Sequence, residues 1–67
     1  MIGTIIPCPV EISETRYIRI VADATNAPTA QSLYKWDYKA IAHDPVKRRD
    51  YGLAFNVTKK EVETWQQ

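Results

Sequence analysis

The chain has 67 residues, of which 45% are hydrophobic, and a formal net charge of +1. That length allows one domain, near the lower limit for a core that is stable alone. With Cys8 its only cysteine and His43 its only histidine, the chain can form neither an internal disulfide nor a metal staple, so stability must come from packing.

Two Trp, four Tyr and one Phe make such packing feasible. No apolar run approaches the ~20 residues of a membrane span. The opening "MIGTIIPCPV" lacks a basic leader region and is interrupted by prolines, which predicts a soluble, cytoplasmic protein with no secretory signal.

Along the chain, Pro7 and Pro9 flank Cys8 and bar both a continuous helix and a central strand. Residues 1–15 therefore read as an N-terminal arm or short edge segment ahead of a domain over 16–67. "RYIRI", Arg16 to Ile20, alternates polar and apolar β-formers and predicts a half-buried strand. "VADAT" follows with better helix formers, and Asn26 and Pro28 in "NAP" mark a tight turn.

Thr29 then stands where an N-cap belongs. Leu33, Trp36 and Ala40 recur at spacings of three and four, predicting a helix with one buried face that ends near Asp44 and Pro45. Gln31, Lys35 and Tyr38 lie off that stripe, with Ser32 on its margin. "VKRRDYGLAFNV" reads as a hairpin, with Val46–Arg48 going out, Arg49–Gly52 turning and Leu53–Val57 returning. "TKKE", Thr58 to Glu61, is a capping box, and it opens a short helix that docks Val62 and Trp65.

The near-neutral total conceals an uneven distribution. Between Tyr34 and Lys60 stand seven cations, Lys35, Lys39, Lys47, Arg48, Arg49, Lys59 and Lys60, against Asp37, Asp44 and Asp50. A basic middle is a footprint for a polyanion, although charge runs more often form solvated faces.

Strand, short helix, tight turn, helix, basic hairpin and short helix in that order predict an α+β fold, a small winged helix-turn-helix whose hairpin is the wing. "RYIRIVADATNAPTAQSLYKW" resembles the opening of AlpA-like and excisionase-like DNA-binding proteins of phages and mobile elements. Tyr34, Lys35 and Trp36 match their Tyr-basic-Trp triplet, and "EVETW", Glu61 to Trp65, matches their "VExW" ending. The resemblance spans roughly residues 16–65.

It implies a recombination directionality factor, an excisionase that binds and bends attachment-site DNA and assists integrase, or an AlpA-like transcription regulator. The partners it implies are double-stranded DNA, integrase and further copies of the chain on adjacent sites. On such a scaffold Gln31 and Lys35 suit base edges, Ser32 a base or a phosphate, and Thr29 a phosphate at the helix start. Tyr34, Lys39 and the wing cations Lys47, Arg48 and Arg49 complete the DNA-facing set.

Other chemistry is sparse. His43 beside Asp44 reads as part of a surface loop, and Cys8 as a passive small residue. No phosphate loop, metal-ligand spacing or carboxylate pair is present in the sequence, so neither a cofactor nor catalysis is expected. The rival from another class is a small protein-binding inhibitor whose basic middle is a solvated face.

Overall fold

In the computed structural model, residues 2–23 and 37–67 are described. They form β1 (Ile5–Pro7), β2 (Tyr17–Asp23), β3 (Tyr38–Asp44), β4 (Arg49–Val57) and α1 (Lys59–Trp65). The strands make one antiparallel sheet in the order β1-β2-β3-β4. The winged helix-turn-helix expectation is therefore overturned: that fold needs several helices, and the described residues form mostly sheet with one short helix. Thr29 to Trp36, expected as the recognition helix, lie outside the described residues.

The prolines act as their chemistry dictates. A residue without an N–H is tolerated on an edge strand, and β1 is an edge, with Ile6 opposite Ile18 and Pro7 opposite Tyr17. Backbone bonds from Gly3 N to Ile20 O (2.7 Å) and from Cys8 N to Arg16 O (2.9 Å) extend the pairing at both ends. Residues read as an arm or short edge segment thus form an edge strand and place Ile6 and Cys8 in the core. The alternation in "RYIRI" produces β2 as expected, with Ile18 and Ile20 buried. Val21 to Asp23, expected to be helical, continue that strand through a register shift between Ile20 and Ala22. β-Branched Val21 suits the extended backbone.

The second correction concerns β3. Tyr38 to Asp44 were read as the second half of a helix, but they pair with β2 on one side and β4 on the other. Pairing on both sides outweighs the modest helix preference of Ala40 and Ala42. The hairpin exists, but its turn is Pro45–Arg48, so Arg49–Gly52 belong to β4. Gly52 takes φ +73 within a bulge, where Gly52, Leu53 and Ala54 stand opposite Ile41 alone. A bulge on an edge strand also discourages pairing with another chain.

Register puts Ile6, Ile18, Ile20, Ala40 and Val57 on one face of the sheet. Together with Cys8 and Val62 they make the core, and Tyr38, Phe55 and Trp65 pack against it. α1 covers this face. Its capping box is complete: Glu61 N donates to Thr58 Oγ1 (3.2 Å) and Thr58 N to Glu61 Oε1 (3.1 Å). The Asp37 carboxylate accepts from Lys59 N at 2.7 Å and ties the start of α1 to the chain entering β3.

Candidate functional site

The opposite end of the sheet, at the β3–β4 turn, gathers the polar chemistry. Asp44 Oδ1 accepts from Val46 N (2.9 Å) and Lys47 N (3.1 Å), a side-chain-closed turn of the kind Asp favours. Those two amides, Lys47's first, hold the Asp44 carboxyl below the usual carboxylate range. Arg48 completes the turn in the left-handed region at φ 57. Lys47, Arg48 and Arg49 are all exposed. Among the described residues none of the three has an ion-pair partner. The Arg49 guanidinium lies 5.5 Å from the centre of the Tyr51 ring, a cation–π distance.

Behind the turn, three strands are cross-linked by one carboxylate. Asp50 on β4 accepts from Arg19 Nε on β2 at 3.1 Å to both oxygens, and Arg19 Nη2 adds a second ion-pair contact to Oδ2. Its Oδ1 also lies 2.8 Å from His43 Nδ1 on β3. These two partners, Arg19 first, hold the Asp50 carboxyl down at about 2. An ionised carboxylate only accepts, so in this contact His43 Nδ1 is the donor.

His43 is therefore not the surface-loop residue the sequence suggested, since it is only 6% exposed and bonds Asp50 instead of its neighbour Asp44. Thr15 Oγ1 donates to the His43 carbonyl and lies 2.8 Å from Ser13 Oγ, fixing the loop before β2 against β3. The carboxylate is engaged by a guanidinium and an imidazole, and no nucleophilic side chain bonds either ring nitrogen among the described residues. Through these bonds the cluster ties β2, β3 and β4 together.

On the face of the sheet that also bears the core, a groove of about 500 Å³ lies between that loop and the hairpin. Ile12, Ser13, Glu14 and Thr15 form its wall, Ala42, Tyr51 and Gly52 its floor, and Asp44 its end. A smaller hollow of about 290 Å³ lies between Trp65 and the Pro7-Cys8-Pro9 segment. Burial pushes the Cys8 thiol up, away from the reactive thiolate form.

Of the residues singled out in the sequence, Lys47 and Arg48 on the turn and Arg49 at the start of β4 come together. Lys39 is exposed on β3, paired with Asn56 far from that turn and, by strand alternation, on the face opposite Asp44. Thr29, Gln31, Ser32, Tyr34 and Lys35 lie outside the described residues. Sequence reasoning missed the Arg19–Asp50–His43 link and the groove, because both depend on strand register. The available signal was the alternation of Lys39, Ile41 and His43 with Tyr38, Ala40 and Ala42.

No family model, curated protein or solved structure matches the chain. Among the described residues no group of potential metal ligands is assembled, and no helix is long and apolar enough to cross a membrane.

Proposed function

We propose that this protein binds nucleic acid and holds the phosphate backbone with the cations of the β3–β4 turn. One observation carries the reading. Lys47 and Arg48 stand exposed on a turn whose backbone is pinned by Asp44 Oδ1, with Arg49 exposed at the start of β4, while Asp50 is engaged by Arg19 and His43. A pre-ordered cationic turn loses little freedom on meeting a phosphate. The excisionase and regulator roles rested on a helix-turn-helix, so this reading keeps the polyanion and leaves those roles aside.

Each phosphate contact releases condensed counterions, so log affinity falls with log salt by about 0.9 per contact on duplex and about 0.7 on single strands. Replacing Lys47 and Arg48 with Ala should weaken binding to every sequence and flatten the slope by about one to two units. Unchanged affinity and slope would remove the turn from the interface. A second reading, contact with a protein partner, is favoured by Leu53, 89% exposed in the bulge of edge strand β4. It takes over if the parent protein binds no nucleic acid at low salt.

A further inference from the structure

We infer that the groove beside the basic turn receives an unpaired nucleobase bearing an exocyclic amino group, so that the nucleic acid is single-stranded where it is held. The inference rests on the nucleic-acid reading above and names the form of the ligand.

The groove is built before any ligand arrives. Its wall is fixed by Ile12 N and Ser13 N bonding to Pro9 O (3.0 and 3.2 Å), by Arg16 N bonding to Ser13 O (2.8 Å), and by the Thr15 bond to the His43 carbonyl. Its volume of about 500 Å³ lies within the roughly 300–1,000 Å³ of small-ligand sites.

Charge then sorts the parts of a nucleotide. Among the described residues the groove's lining includes two acidic residues, Glu14 and Asp44, and no Lys or Arg. A phosphate is repelled from its interior. Just outside, Arg49 stacks on Tyr51, which itself lines the groove, and Lys47 and Arg48 follow on the adjoining turn. A strand whose phosphates sit on those cations has its base beside an aromatic ring, and base–aromatic stacking tolerates any base.

The carboxylates add selectivity. Ionised, they only accept, and they suit amino groups such as cytosine N4. Asp44 spends Oδ1 on the turn amides, and neither of those bonds uses Oδ2. Thymine has no exocyclic amino group to offer. In a duplex the base would first have to leave its stack and its partner, at a cost of a few kcal/mol, so single strands are preferred.

Anisotropy titrations of the full chain at low salt would use labelled strands of about 12 nucleotides, a length in the range of single-strand sites. The three probes are oligo-dC, oligo-dT and an abasic backbone. Oligo-dC should bind about tenfold tighter than oligo-dT, the effect of one hydrogen bond to a charged group, and the abasic strand should be weakest.

Tyr51→Leu should lower oligo-dC affinity by about 5- to 100-fold, the range for loss of one stacked base, while Tyr51→Phe retains it and serves as the folding control. Glu14→Gln should bring oligo-dC toward oligo-dT and leave oligo-dT unchanged. Equal binding of all three strands, with Tyr51→Leu behaving as the parent, overturns the groove inference and leaves phosphate contact standing. Binding to none of the three strands, nor to duplex, overturns both.

Discussion

The sheet is held differently at its two ends. Under α1, Ile6, Ile18, Ile20, Val57 and Val62 are almost wholly enclosed, and the neighbours that complete this region are apolar or aromatic. At the β3–β4 turn the buried groups are Ser13 and His43, and the strands are joined by Thr15, Asp50, Arg19 and Asp44 through directional bonds. A chain of 67 residues has few large apolar side chains to distribute, and among the described residues the most deeply buried of them gather on the sheet face under α1. Hydrophobic burial is non-directional and tolerates rearrangement, whereas a hydrogen-bonded end holds its groups at set positions. The end fixed by directional bonds is also the one that displays the cations and the groove.

The sharpest way to break this contrast is at the packed end. Ile20 is fully buried at the centre of the core, so Ile20→Ala should cost about 2–5 kcal/mol, the range for a large-to-small change with an incompletely filled cavity. A core this small supplies about 3–5 kcal/mol in total. The variant should therefore be largely unfolded at room temperature, which a urea titration followed by Trp fluorescence would show. A midpoint close to the parent's would mean that the turn end carries most of the stability.

At the turn end the corresponding change is Asp50→Asn. It leaves the buried His43 ring and Arg19 without their carboxylate. The ion pair itself is partly exposed and screened, so most of the loss comes from the His43 bond. A loss of about 1.5–2 kcal/mol is expected, at the low end of the range for hydrogen bonds to charged groups.

The pH dependence has a definite sign. The folded-state value of Asp50, about 2, lies below its ordinary 3.8. Its contribution is therefore fully present above that ordinary value and disappears as pH falls toward about 2. Asp50→Asn should remove that part of the acid destabilisation between about pH 4 and pH 2. If parent and variant lose stability in parallel over this window, the link does not hold the strands together.

The same division governs what the amino-acid sequence discloses. The capping box at Thr58 and Glu61 is a contact between residues three apart, so it is legible without any fold, and it forms as expected. The strand in "RYIRI" and the edge position forced by Pro7 are equally local. β3 was misread because Leu33, Trp36 and Ala40 satisfy a helical spacing, whereas the alternation in "YKAIAHD" becomes decisive only once neighbours pair on both sides. Gly52 was read as part of a turn because glycine at positive φ serves turns and bulges alike. The cations at positions 47–49 were visible as a charge run. The groove was not, since Ile12 to Thr15 meet Tyr51 only through the register of three strands.

The smallest effect sharpens the account of the hydrogen-bonded end. Arg16 closes the loop before β2 at φ 64, and its backbone both donates to Ser13 O (2.8 Å) and accepts from Cys8 N (2.9 Å). An L-residue in the left-handed region bears a cost of about 1–2 kcal/mol that glycine avoids. Glycine in turn enlarges the freedom of the unfolded chain, which offsets about 0.4–1 kcal/mol of the gain.

The Arg16 side chain is exposed, and among the described residues it has no ion-pair partner, so little else changes. Arg16→Gly should therefore stabilise the protein by about 0.5 kcal/mol, the difference between these opposing terms. The oligo-dC preference should stay the same, because the groove wall keeps its backbone bonds. Arg48 has the same backbone geometry, but replacing it would also delete a cation of the turn, so Arg16 gives the cleaner measurement. A drop in stability would show that the loop is closed by the Arg16 side chain and not by its backbone, and the wall of the groove would then depend on a contact that solvent can reach.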